Sequence, residues 1–366
     1  MTTDFDHEHL YIPGPVEVRR EILDAQGEWM IGHRSKAFAD LYARLQPHLL
    51  KSFGCGDEHR VYIYTSSGSG IWESASRCAV RDDQPVLHTV NGAFSQRWAE
   101  VSRANGKQVD VIEVPWGQAI KPEQVADALK QKHYDAVTVT FNETSTGVLN
   151  PLPEIAAIVR EYPDTLLLVD AVSCWLGTEI EAAAWGIDLV LASSQKAFAL
   201  PPGIAFGAVS DRVLARAREI PHRGYYFDVL TLEKHHQKNN TPATPPVSLM
   251  FAAERQFQDI EREGYAARYD RHRQMAAMTR EWVRSRGFEM FSEEGYHSPT
   301  VSTVRNTRGI DFAALQAFLK ERRIALGGGY GKLKGETFRI AHMGDLQPAD
   351  MQILFDAMDA FLATQG

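Results

Sequence analysis

Lys196 lies in "SSQKAFALPPG" (193–203), directly after the apolar run "IDLVLA" and before two prolines and a glycine. Asp170 closes "LLLVD", four apolar residues and then a carboxylate. A charge stranded unpaired at the end of a buried run is strongly unfavourable, so each needs a partner or a task. Structural answers exist for both: a snorkelling or salt-bridged lysine, and an aspartate that caps a helix or meets an arginine. Three more stretches follow apolar runs in the same way. "SSGSGIWESAS" (66–76) leads from small residues into a helix, a turn that can aim backbone N–H groups at a phosphate. "NGAFSQRW" offers Phe94 as a flat apolar face, and "NETSTG" (142–147) is a polar cluster that turn chemistry alone can explain.

Singly these are weak signals; together they are the parts that pyridoxal 5'-phosphate requires. A lysine amine forms a Schiff base with the cofactor aldehyde, and an acid keeps the ring nitrogen protonated so that the ring can take up electrons. An aromatic side chain stacks on the ring, and a glycine/serine loop holds the phosphate.

Such a set works only if the chain brings it to one place. Short β-rich apolar runs occur at 60–65, 85–90, 108–114, 135–141, 165–171, 188–193 and 204–210, separated by helix-compatible stretches such as "SQRWAEVSRANG", "KPEQVADALKQK" and "LPEIAAIVREY". The runs are near-continuous rather than alternating, as in strands covered by helices on both faces. This implies an α/β fold with a mostly parallel seven-stranded sheet, in which ligands sit beyond the carboxyl ends of the strands. After about residue 245 a proline-rich turn gives way to a long helical stretch, interrupted at Gly264 and ending at Gly287. An α+β unit with a closing helix follows. The expected division is an N-terminal arm over 1–20, a large cofactor domain over 21–250, and a bridging helix with a smaller C-terminal α+β domain over 251–366.

Composition narrows the function classes. With 47 acidic against 39 basic side chains the net charge is −8, and no basic block could track a phosphate backbone, which argues against nucleic acid. The start lacks the basic and apolar segments of a signal peptide, and no run of about 18 apolar residues occurs. A cytoplasmic protein with no membrane partner is expected. Cys55, Cys78 and Cys174 have no metal or disulfide spacing and read as reduced packing residues. His235 and His236, in the polar stretch "LEKHHQKNNT", read as a solvated turn or lid rather than a metal site.

The chain also resembles a known family, the class V aminotransferases among the fold-type I pyridoxal-phosphate enzymes, in the alanine-glyoxylate, serine-glyoxylate and serine-pyruvate branch. The motifs run in series from "PGPVEV" and "GHRSKAF" through "SSGSG", "VNGAFSQRW", "NETSTGVLNP", "LLLVDAVS" and "SSQKAFALPPG" to "TPATPPVSLMFA" and "KLKGETFRIAHMG". "VDAVS" followed by "SSQK" at this spacing is the most specific of them. The resemblance implies that Lys196 is the Schiff-base lysine and Asp170 the partner of the ring nitrogen. By the same route Phe94 stacks on the ring, Val172 closes its other face, and Thr144 bonds the ring hydroxyl. Ser69, Gly70, Ile71 and Gln195 are implied for the phosphate cup. Thr244 is implied as a phosphate ligand given to the neighbouring subunit, so that a homodimer completes each site. Thr241 stands where some relatives have a tyrosine, so the chain departs from the family pattern at one implied cross-subunit contact. Arg339 matches the arginine that grips the substrate carboxylate, a task suited to its planar fork. Gly14 matches a backbone contact near the substrate.

The implied activity is transfer of an amino group from alanine or serine to glyoxylate or pyruvate, by a ping-pong course. Other readings share the scaffold. A 2-aminoethylphosphonate-type transaminase would need further cations at the mouth, for which Arg34 and Arg223 are candidates. A cysteine desulfurase would need a mobile thiol, and all three cysteines lie in or beside ordered segments. A non-catalytic protein that kept the fold would have no need of Lys196, Asp170 and Arg339 together.

Overall fold

The computed structural model describes residues 6–365; the first five residues of the expected N-terminal arm and Gly366 lie outside them. Seven strands form the principal sheet, in the order His59–Tyr64, Ala205–Ser210, Leu189–Ser193, Leu166–Asp170, Ala136–Thr140, Pro85–Val90 and Gln108–Glu113. All run parallel except Ala205–Ser210, which is antiparallel to both neighbours. The mostly parallel α/β sheet expected from the sequence is present.

The apolar runs look continuous because both faces of the sheet are buried. Val137, Val139, Leu167, Val169, Val190, Phe206 and Ala208 join one core with the helices Lys36–Ser52 and Val247–Glu263. Their sequence neighbours Ala136, Leu166, Leu168, Leu189, Leu191 and Val209 join another with the helices Gly68–Ala79 and Asp211–Glu219. Alternate residues thus meet alternate layers, and the inner strands leave no position to water. Gln108–Glu113 departs from this expectation: it is the sheet edge, and its side chains are exposed or half-buried.

The helical stretch after the proline-rich turn is two helices, Val247–Glu263 and Tyr265–Ser285, broken at Gly264 with φ +86. They lead to a five-stranded sheet ordered His9–Tyr11, Ile324–Gly328, Thr337–Ala341, Val301–Arg305 and Glu289–Met290. The helices Phe312–Lys320 and Pro348–Leu362 cover it over a core that includes Trp282, Phe288, Phe338 and Phe355. Its first strand belongs to the N-terminal arm and pairs in parallel with Ile324–Leu326. No described helix is long and apolar enough to cross a membrane.

His235 and His236 depart from the solvated turn expected for them. Both end the helix Val229–His236, and His236 packs edge-on against Tyr42 and Tyr62, its Nδ1 3.0 Å from the Tyr42 hydroxyl. The apolar faces of those tyrosines, invisible in the local polar sequence, hold it in place.

Candidate active site

Sheet register sets the centre of the site. Thr140 and Asp170 are paired at the ends of adjacent parallel strands, and Asp170 pairs with Leu191 two residues before Ser193. The loops leaving these strands enclose a cavity of about 140 Å³. Its lining includes Ser69, Phe94, Thr144, Asp170, Val172, Gln195 and Lys196, so seven of the residues singled out in the sequence meet there.

Asp170 is 4% exposed. Trp72 donates its indole N–H to Oδ2 at 2.9 Å, and the Val172 amide donates to Oδ1 at 2.8 Å. Burial dominates and pushes the carboxyl up to about 7, against the pull of these two donors. Lys196 donates from Nζ to the Pro13 carbonyl at 2.5 Å. Burial, with Arg339 second, brings its ammonium down to about 8, while Asp170 pulls the other way. Near neutral pH the cavity therefore holds an acid that can keep its proton and an amine that can lose one.

Gly14 explains how the arm approaches so closely. Its φ is +127, and a Cβ there would lie 2.5 Å from Lys196 Nζ. Phe94 opens the helix Ala93–Ala104 and is fixed from below by Glu143, whose carboxylate accepts from the amides of Phe94 and Ser95 and from the hydroxyls of Ser95 and Ser145. The Phe94 ring stacks on Tyr330 at 5.1 Å between centroids. Arg339, on Thr337–Ala341, donates from Nε to Gly328 O at 2.9 Å and lies over the same Tyr330 ring. Burial lowers its pKa to about 10. No carboxylate among the described residues forms a salt bridge with it.

Other sequence candidates lie apart from the cavity. Gly70 and Ile71 continue the helix Gly68–Ala79 beyond the lining residues Ser67, Gly68 and Ser69, and the Ile71 side chain is in the core. Thr244 is at the surface beside His33, and Thr241 is buried with its hydroxyl on the Ala243 carbonyl. Arg34 is tied to Asn240, Thr241 and Pro242, and Arg223 to Asp228, so neither lines the cavity. Burial raises all three thiols, Cys55 to about 12, Cys78 to about 11 and Cys174 as well, opposite to the shift a nucleophilic thiol needs. No group of three or more His, Cys, Asp or Glu side chains suited to a metal ion occurs among the described residues.

Sequence reasoning did not single out Trp72, Thr140, Ser173 or Ser193 and gave Asn142, in the polar cluster at 142–147, no site role, yet all five line the cavity. Four buried polar atoms there, Thr140 Oγ1, Asn142 Oδ1, Ser193 Oγ and Gln195 Oε1, have no hydrogen-bond partner in the protein. Orphans gathered around one cavity point to a polar ligand that satisfies them. With an amine, an acid, an aromatic face and the N-terminus of the helix Gly68–Ala79 on the same walls, the donor set fits pyridoxal 5'-phosphate.

Comparison with known proteins agrees. The chain is 33% identical over 365 residues to the soluble hydrogenase small subunit of a Synechococcus strain, covering 99% of this chain and 94% of the other. It is 32% identical over 350 residues to serine-glyoxylate aminotransferase of Methylorubrum extorquens, covering 92% and 87%. The crystal structure of alanine-glyoxylate aminotransferase from Nostoc sp. superposes with a TM-score of 0.92 over 98% of this chain and 96% of that one, at 28% identity. The model of the family described as aminotransferase class-V matches residues 21–332. A match of that extent, on a cavity built at the strand ends of one parallel sheet, makes the chain a member of the class V aminotransferases.

Proposed function

We propose that this enzyme moves an amino group from a small amino acid, alanine or serine, to a small 2-oxo acid, glyoxylate or pyruvate, in two half-reactions of a ping-pong course. The observation that carries the reading is the meeting of Lys196 and Asp170, with opposite pKa shifts, in a cavity ringed by unsatisfied polar atoms. Names of relatives that act with glyoxylate support the acceptor.

When bound, pyridoxal 5'-phosphate supplies an aldehyde for an amine and a ring that accepts the electron pair left when a Cα proton departs. Lys196 is the amine that would hold that aldehyde, and its Nζ would be the group that takes up the Cα proton and gives it back. Its lowered pKa suits both tasks, because an amine that titrates near 8 is a usable base and a usable acid close to neutrality. Asp170, oriented by Trp72 and the Val172 amide, partners the ring nitrogen. Phe94 and Val172 close the ring faces, and Thr144 bonds the ring hydroxyl. Ser69 and Gln195, which line the cavity, would hold the phosphate, while Gly70, whose amide donates to the Ser67 carbonyl, and Ile71, whose side chain is in the core, would shape the start of the helix behind it. Arg339, which no described carboxylate pairs, grips that of the substrate, and the Gly14 backbone borders it. A second subunit contributes Thr244 to the phosphate.

The test is the absorbance of the purified protein between about 300 and 450 nm, before and after L-alanine or L-serine, beside Lys196→Ala. Loss of the long-wavelength cofactor band with one donor, and no such change in the variant, is the expected result. A band that neither donor shifts would overturn the substrate assignment; no band at all, even after adding cofactor, would overturn the whole reading.

A further inference from the structure

The backbone turn that carries Lys196 is held in a costly conformation. The Ala199 amide closes it on the Lys196 carbonyl at 2.8 Å, and Ala199 itself has φ +57, which an L residue keeps only where its surroundings impose it. The carbonyls of Ala197 and Phe198 leave this turn toward two buried donors. Arg268, 1% exposed, donates from Nη2 to Ala197 at 2.8 Å, and Gln256, fully buried, donates from Nε2 to Phe198 at 2.9 Å.

Both donors converge on one carboxylate. Asp345 accepts from Arg268 Nη1 at 3.0 Å and from Gln256 Nε2 at 3.0 Å, and also from Arg19 Nε at 2.6 Å. Arg19 in turn donates to Gln256 Oε1 at 2.9 Å. Asp345 follows the strand Thr337–Ala341 that bears Arg339, whereas Arg19 follows the arm segment whose Pro13 carbonyl receives Lys196 Nζ. The backbone beside Asp345 is pressed on the same turn, since a Cβ on Gly344 would lie 3.0 Å from that of Ala199. Burial pushes the Asp345 carboxyl up, yet Arg268 and Arg19 outweigh it and hold the group below its ordinary range.

We infer that Asp345 is a positioning residue for the reaction: through Arg268 and Gln256 it fixes the turn bearing Lys196, and through Arg19 it fixes the arm that the lysine meets. The inference rests on Lys196 being the reactive amine. A loose turn would let that amine reach water and lose the environment that makes it a base near neutrality.

The test uses the full chain freed of cofactor, so that it reads the lysine itself. Modification of Lys196 by trinitrobenzenesulfonate is followed against pH, with the site read by peptide mass spectrometry. The wild-type midpoint is expected at about 8. Gln256→Leu, which cuts one strut without removing a charge, and Asp345→Asn should each raise it by about one pH unit or more toward the ordinary lysine value. Arg255→Met removes a nearby arginine that bonds Asp259 and touches neither the turn nor Asp345, and should leave the midpoint in place. With cofactor restored, kcat in the first two variants should fall about tenfold while KM for the donor changes little. Wild-type midpoints in folded Gln256→Leu protein would overturn the inference, even if Asp345→Asn fails to fold. If wild-type Lys196 titrates as expected but takes up no pyridoxal 5'-phosphate, the catalytic reading fails and the positioning of the turn stands.

Discussion

Asp170 and Lys196 are shifted by the same force in opposite directions, because burial penalises whichever form carries charge. For Asp170 the folded chain binds its proton more tightly than the unfolded one. Its contribution to stability is therefore complete below about 4 and is lost as the pH rises through about 7. Lys196 is the converse: its contribution is complete above the ordinary lysine range and is lost as the pH falls through about 8. Asp170→Asn should accordingly be more stable than wild type at pH 8 in the cofactor-free state, by up to a few kcal/mol, since each tenfold change in proton affinity is worth about 1.4 kcal/mol. That advantage should vanish near pH 4 in urea unfolding. The same substitution should lower kcat of the holoenzyme on the order of 10²–10³-fold, since a neutral amide can accept the ring N–H but cannot offset its positive charge. These two residues were legible in the sequence because a charge closing an apolar run has few innocuous explanations. Thr140, Asn142 and Ser193 were not, because a neutral polar side chain becomes informative only when tertiary burial strips it of partners.

Individual elements deliver these side chains, and two can be tested separately. Glu143 holds the start of the helix Ala93–Ala104, so Glu143→Ala should cost about 2–3 kcal/mol and release Phe94. Thermal melting and cofactor affinity should both fall; Phe94→Ala, which loses the Tyr330 stack but keeps the helix start, should lower the affinity with a smaller loss of stability. Gly14→Ala should suppress activity by driving the arm off Lys196, with a strain cost of about 1–3 kcal/mol. Steady-state kinetics beside unfolding curves separates the two effects. The seven strands of the main sheet were readable because helices cover both faces and nearly every position selects for apolar residues. His9–Tyr11 was not readable: three residues carry no period of their own, and their partner lies near the other end of the chain. His236 was misread for a related reason, since the tyrosines that bury it come from distant elements.

For the whole molecule, the surface carries apolar side chains that a monomer would be expected to hide. Trp29 is 92% exposed, Met30 68% and Tyr225 72%. The proposed dimer would cover them, and light scattering after size exclusion should give twice the mass of one chain. Trp29→Asp should shift that mass toward the monomer and, if Thr244 has the role proposed for it in the neighbouring subunit, weaken cofactor retention. A dimer that survives Trp29→Asp and Met30→Asp together would show that these residues are not its contact surface.

The pairing of His9–Tyr11 with Ile324–Leu326 also sets a timetable for biosynthesis. A ribosome that has made Lys196, Asp170 and the turn at 66–70 has made most of the proposed catalytic equipment, but the strand His9–Tyr11 cannot pair until its partner emerges more than 300 residues after it. Until then the tie between the arm and the lysine turn is the Val16 amide on the Gln195 carbonyl. The arm thus gains its strand partner late in synthesis, and a chain cut short before residue 324 would lack that pairing together with Arg339 and Asp345.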